Sequence, residues 1–206
     1  MPRIDNIQRT DRKAAILDAA ERCFVRSGFH GASMSEICAE AGMSPGNLYR
    51  YFPSKEAMIE GLCERDFEEV GQQFAELADA PDIWQAFREL AKVHMVEEPR
   101  EHCAMWIESM SEVARNPQIA ALRTRIDAFI HDKLLGALQL ARARGQTSPH
   151  ADLDRAVQFL ITFADGLMLR RARDPDFDPV NAMSIMFDVL AGMLLTPSAP
   201  STDNAT

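Results

Sequence analysis

The stretch GFHGASMSEICAEAGMSPGNLYRYFPSKEAM, residues 28–58, sets three helix boundaries in quick succession. Ser33-Met34-Ser35-Glu36 has the form of a capping box, in which the serine and the glutamate each satisfy a backbone N–H at a helix start. The helix it opens buries Ile37, Cys38 and Ala41 and ends at Gly42. Ser44-Pro45 opens the next, an N-cap followed by proline at the first helical position. That helix runs through Leu48 to about Tyr51 or Phe52, ahead of Pro53. Ser54 then caps a long helix carrying Met58, Leu62, Phe67 and Phe74 to about Ala78.

Upstream, Thr10 reads as the N-cap of a first helix, with Asp11 favoured in its first turn by the helix dipole. Ile16, Leu17, Ala20, Cys23 and Phe24 recur at helical spacing, and Gly28 is its natural stop. Downstream the same punctuation continues. Pro81-Asp82 opens a helix through Trp84, Phe87, Leu90 and His94 that ends near Pro99, and another spans about Glu101–Arg115. Asn116-Pro117, Ser148-Pro149 and Asp178-Pro179 start the last three, which finish at Gly145, beyond Met168 and before Pro197. The reading is all-α, with nine helices and no strands. Three segments follow: 1–53 with its three closely spaced helices, 54–196 as a larger helical body, and 197–206 as a polar disordered tail.

Composition agrees. The chain is 47% hydrophobic and 26% charged, as in ordinary globular proteins, with 7% aromatics and an excess of helix formers. Cys23, Cys38, Cys63 and Cys103 form no Cys-x-x-Cys pair, and reduced thiols are expected. The N-terminus MPRIDNIQRTDRK lacks an apolar h-region and no apolar run reaches membrane length, so a cytoplasmic protein is expected. The net charge of −9 is uneven: residues 1–55 hold eight Lys/Arg against six Asp/Glu, and the remaining residues hold fourteen against twenty-five. The first segment is therefore +2 and the rest −11, a mildly basic end on an acidic body.

Three helices, the last two short and joined by Gly42-Met43, describe a helix-turn-helix with a supporting first helix. The third must lead with small or polar residues, because its N-terminal turn enters the major groove. Ser44, Pro45, Gly46 and Asn47 meet that demand: Gly46 permits close backbone approach, and Asn47 can hydrogen-bond a base edge. Tyr49, Arg50, Tyr51 and Lys55 suit phosphate contacts, which position without reading sequence. Ser33 and Ser35, with the first amides of the second helix, are candidates for a further phosphate. Leu48 and Phe52 should face inward against Ile37 and Phe24.

The glycine-aromatic turn, Ser-x-x-Glu-Ile, Ala-Gly-Met-Ser and Gly-Asn-Leu-Tyr-Arg-Tyr-Phe-Pro-Ser-Lys-Glu together closely resemble the N-terminal domain of the TetR family of bacterial repressors, over about residues 10–60. The resemblance implies that Ser44, Pro45, Gly46, Asn47 and Arg50 face the groove and that Tyr49, Tyr51 and Lys55 grip phosphates. It implies a nine-helix architecture, a cavity for a small apolar effector, and a homodimer formed by the last two helices as an intersubunit four-helix bundle.

For the effector, Trp106, Met110 and Phe163 are the candidates. For the dimer, the eighth helix offers Val157, Leu160, Ile161, Ala164, Leu167 and Met168, and the ninth offers Met183, Met186, Phe187, Leu190, Ala191 and Leu194. His94, Glu97, Glu98, Glu101 and His102 crowd around Pro99, but the proline breaks their register, so no metal is expected. Arg170, Arg171 and Arg173 read as cations favoured by a helix C-terminus. There is no Gly-rich phosphate loop and no Gly-x-Ser-x-Gly, so neither catalysis nor a cofactor is expected. The expected function is a homodimeric repressor of double-stranded operator DNA, released by its effector. The alternative is an activator, or a regulator answering to a protein partner.

Overall fold

The computed structural model describes residues 2–195; the tail expected at 197–206 lies outside the described residues. Among the described residues there are nine α-helices, one π-helical turn and no strand. The α-helices are α1 (Pro2–Gly31), α2 (Met34–Glu40), α3 (Pro45–Leu48), α4 (Lys55–Asp79), α5 (Ile83–Lys92), α6 (Arg100–Val113), α7 (Pro117–Ala143), α8 (Leu153–Arg173) and α9 (Pro179–Leu195). The π turn, Val93–Glu97, continues α5 and is closed by the Glu98 N–H on the Val93 carbonyl at 3.1 Å. Pro99 then forbids further helix.

Several boundaries differ from the sequence reading. Helix α1 begins at Pro2, eight residues before Thr10, because proline at a first helical position is favourable and no breaker follows it. At its other end α1 is broken at Gly28, with φ 72° and ψ 164°, and makes one more turn to Gly31. Helix α8 starts at Leu153, not at Ser148-Pro149, because Asp152 is the working cap, accepting from the Arg155 N–H at 3.0 Å.

The chain divides into two compact units, and the first is larger than the 1–53 segment. It runs to Glu69 and takes in Pro99–Arg125, so it holds α1–α3, much of α4, all of α6 and the start of α7. Its core is Ile16, Leu17, Ala20, Cys23 and Phe24 from α1, Ile37 and Cys38 from α2, Leu48 and Phe52 around α3, and Met58, Ile59 and Leu62 from α4. Leu48 and Phe52 therefore join Ile37 and Phe24, as the four-residue spacing predicts. Ala41 is only half-buried. Complete burial of a side chain such as Phe24 contributes about 2–3 kcal/mol. Arg65 of α4 ties to α1 through Asp18 and Glu21, both at 2.7 Å.

The second unit holds Val70–Glu98 and the chain from Ile126 onward. Its core gathers Phe74 and Leu77 of α4, Ile83 and Phe87 of α5, Leu134 and Leu138 of α7, Val157 and Leu160 of α8, and Phe187, Leu190 and Leu194 of α9. Phe87 and Phe187 meet edge to face at 6.0 Å. The α7–α8 loop is pinned by the Ser148 N–H on the Leu194 carbonyl (2.7 Å), while the Trp84 indole N–H donates to Gln146 O (2.9 Å).

Cys23, Cys38 and Cys103 are buried thiols and Cys63 is half-buried. Burial pushes the Cys23 thiol up from its ordinary value. No helix among the described residues is long and apolar enough to cross a membrane.

Candidate nucleic-acid interface

Helix α2 begins as the sequence dictates. The Ser33 hydroxyl accepts from the Glu36 N–H at 3.2 Å, and the Glu36 carboxylate accepts from the Ser33 N–H at 2.7 Å. The hydroxyl also donates to that carboxylate at 2.9 Å. These bonds, the Ser33 backbone N–H first, hold the Glu36 carboxyl below its usual range. A carboxylate therefore already occupies the positive end of α2, and the Ser33 hydroxyl hydrogen is taken up inside the box. Ser35 is exposed beside it.

After Ala41 the chain turns at Gly42 (φ 62°), a left-handed position that suits glycine. The Met43 N–H returns to the Cys38 carbonyl at 2.9 Å and closes the end of α2. Helix α3 then occupies four residues, shorter than expected, and Tyr49–Tyr51 continue as turn. Its first amides bond to the Ser44 carbonyl, from Asn47 at 3.0 Å and Leu48 at 3.1 Å; the Ser44 side chain makes no cap bond.

Leu48 is the buried residue of α3 and fastens it to the core. Around it Ser44, Pro45, Gly46, Tyr49 and Arg50 are exposed, and Asn47 is half-buried. A Cβ added at Gly46 would meet nothing within 4 Å, so the protein's side of that position is open. No side-chain partner of Tyr49 or Arg50 is found among the described residues. Tyr51 is half-buried and packs against the core, which assigns much of its ring to structure.

Lys55 is placed differently from a phosphate-gripping cation. Its ammonium donates to the carbonyls of Phe29 (2.6 Å), Ala32 (2.7 Å) and His30 (3.3 Å), and sits 4.8 Å from the Phe29 ring centroid. An ammonium has three hydrogens, and here three carbonyls at the end of α1 receive them.

Sequence reasoning missed α6 altogether as a neighbour of this region. The Phe29 N–H, released by the break at Gly28, donates to the Glu108 carboxylate at 2.6 Å. His30 Nε2 lies 2.9 Å from Glu112, whose side chain is largely buried. Glu40 at the end of α2 is bound by Arg22 at 2.8 Å and Arg26 at 3.3 Å. The Arg22 hydrogen bond, chiefly, holds the Glu40 carboxyl below its usual range. None of these long-range partners carries a local sequence signal.

The candidates for an effector separate. Trp106 and Met110 lie one turn apart on α6 in the first unit, with the Arg123 guanidinium 5.7 Å from the Trp106 ring. Phe163 belongs to the second unit, half-buried against its core and 5.7 Å from the Phe159 ring. In that unit His94, on the π turn, bonds to Gln73 at 2.6 Å.

Many residues named for the dimer face are core of the protomer itself. Val157, Leu160 and Leu167 of α8 and Met186, Phe187, Leu190 and Leu194 of α9 are buried, because the strongest apolar stripe of each helix turns inward. The exposed apolar residues are instead Leu169 of α8 and Val180, Ile185, Val189 and Leu195 of α9.

Comparison with known proteins gives consistent results. A family model described as bacterial regulatory proteins, tetR family, matches residues 16–62, and one described as BetI-type transcriptional repressor, C-terminal, matches residues 82–195. The HTH-type transcriptional regulator UidR of Escherichia coli K12 is 30% identical over 167 residues, covering 80% of this chain and 85% of UidR. TtgR of Pseudomonas putida, also an HTH-type transcriptional regulator, is 26% identical over 180 residues, covering 81% and 82%. The solved structure of Salmonella enterica GusR superposes with a TM-score of 0.74 at 31% identity, covering 89% of this chain and 95% of GusR.

Proposed function

The chain belongs to the tetR family of bacterial regulatory proteins, and from that premise we propose that this DNA-binding transcriptional regulator is a homodimeric repressor that leaves a palindromic operator when a small, largely apolar effector binds. The observation that carries the reading is the exposed lead of α3. Leu48 anchors the helix inward, while Ser44, Pro45, Gly46 and Arg50 face outward around a position where a Cβ would meet open space. Such a surface admits a groove wall to backbone distance.

In this reading Ser44, Pro45, Gly46, Asn47 and Arg50 face the groove, and Tyr49, Ser35 and part of Tyr51 meet phosphates. Ser33 and Lys55 serve the interface through the backbone they hold. A reader this small recognises too few base pairs alone, so a two-fold dimer on paired half-sites is the expected solution. The exposed Leu169, Val180, Ile185, Val189 and Leu195 support pairing through α8 and α9. Residues 1–53 are proposed as the reading domain and 54–196 as the regulatory one, α6 contributing structurally to the former. Trp106 and Met110 in the first unit and, separately, Phe163 in the second are each proposed as an effector contact. The proposed operator target places the protein in the cytoplasm, where bacterial DNA lies.

Effector and operator are linked reciprocally: whatever factor the effector takes from DNA affinity, DNA takes from effector affinity. In vitro selection from random duplex DNA with the full-length protein tests the proposal. Enrichment of a palindrome with fixed spacing is the expected outcome; a lone half-site, or no enrichment, contradicts the dimeric reader.

A further inference from the structure

We propose that Glu108, on α6, is a positioning residue for DNA recognition: its carboxylate sets the angle at which the helix-turn-helix leaves α1, without touching DNA. The inference deepens the reading above and rests on it.

Helix α1 breaks at Gly28. With φ 72° and ψ 164° the backbone leaves the helix there, so the Phe29 N–H no longer points at the carbonyl four residues back. A buried N–H without an acceptor is costly, and Phe29 itself is buried. The acceptor comes from seventy-nine positions along the chain: Glu108 Oε2, at 2.6 Å. The fit is close, since a Cβ at Gly28 would stand 2.8 Å from both oxygens of that carboxylate. On the other side of the turn the Lys55 ammonium takes the carbonyls of Phe29, His30 and Ala32. An anion thus holds the freed donor and a cation holds the freed acceptors, a polarity that matches the turn's own dipoles. One turn farther along α6, Glu112 reaches His30 at 2.9 Å. Two successive turns of α6 therefore hold the residues that join α1 to the capping box of α2. The chain enters α6 from the second unit and returns to that unit through α7, so α6 lies between stretches of regulatory chain in sequence.

The sign of the effect separates positioning from plain electrostatics. Removing a carboxylate from a DNA-binding unit reduces repulsion of phosphate and should raise affinity. Removing the acceptor of the Phe29 N–H should lower it.

The test uses the full-length protein, its selected duplex at several salt concentrations, and amide hydrogen exchange over residues 28–32. Glu108→Ala is expected to lose about tenfold in affinity with an unchanged salt slope, while exchange at 28–32 accelerates. Glu108→Asp keeps the charge but withdraws the acceptor by one methylene, and should lose several-fold with the same exchange signature. It also decides the matter if the alanine variant does not fold. Glu108→Gln, which keeps an acceptor oxygen at the same reach, should recover most of the loss. Equal or tighter binding by Glu108→Ala, or wild-type affinity and exchange in Glu108→Asp, would overturn the proposal. If the unsubstituted protein selects no site, operator reading fails on its own, and exchange at 28–32 alone then decides whether Glu108 holds the turn.

Discussion

Two turns of the first unit, less than twenty residues apart in sequence, are built on opposite principles. At Gly28–Ala32 the polar groups are engaged from inside the protein: carbonyls on Lys55, an N–H on Glu108, an imidazole on Glu112. At Ser44–Arg50 one leucine faces inward, Asn47 is half-buried and the rest are exposed, with open space over Gly46. Internal satisfaction fixes geometry, because each group lost would leave a partner unmet. In the proposed reading, outward exposure leaves donors for a ligand whose phosphates and base edges supply the missing partners. A reading head needs both, and this chain keeps them on separate turns.

The sharpest way to break the contrast is to place a methyl on each turn. Gly28→Ala meets both a left-handed backbone and the Glu108 carboxylate at 2.8 Å, so thermal or urea unfolding should show a loss of about 1–3 kcal/mol. Gly46→Ala meets neither, and its stability should stay within about 0.5 kcal/mol or rise slightly. Its affinity for the selected duplex should nevertheless fall, since only the DNA side is crowded. A Gly46 variant that unfolds while Gly28→Ala does not would invert the account.

A second comparison concerns cations. Arg50→Ala removes an exposed guanidinium and should lower the slope of log affinity against log salt by about 1. Lys55→Ala should leave that slope unchanged and instead destabilise the protein by about 1–2 kcal/mol, through the carbonyls it abandons. Titration at four or five salt concentrations separates the two; a slope reduced by Lys55→Ala would restore it to the phosphate contacts.

The smallest expected effect is with pH. Glu36 and Glu40 titrate below the ordinary 4.5 in the folded chain, Glu36 through the Ser33 bonds and Glu40 through Arg22. Their contribution to stability is therefore complete above the unfolded value and is lost as pH falls through the depressed folded values. Stability should be flat with respect to these two groups from neutrality to about pH 5 and decline below it. Glu36→Gln should shallow that decline, measurably by urea midpoints across the acid range.

What was legible in the sequence follows the range of the forces involved. The starts of α2 and α3 are set by residues within four positions of each other, Ser33 with Glu36 and Ser44 with Pro45, so both could be read directly. Leu48 and Phe52 could be assigned inward because helical spacing encodes which residues share a face. The clamp on the α1–α2 turn could not, since Glu108 and Glu112 lie 79 and 82 positions from their partners and carry no periodic mark. Lys55 was legible as a cation beside a helix-turn-helix, but not as one spent on carbonyls twenty-odd residues earlier. On α8 and α9 the apolar pattern announced a buried stripe without saying that the protomer itself buries it. The weaker exposed set, Ile185 and Val189 among them, follows the polar Ser184 and Asp188 and carries little signal of its own.

In the proposed reading, one turn holds the geometry and the other meets DNA. Amide hydrogen exchange of the full-length protein, free and bound to its selected duplex, tests it most directly. The predicted result is slow exchange at 28–32 in both states and new protection at 44–50 on binding. New protection at 28–32 with residues 44–50 unchanged would contradict it.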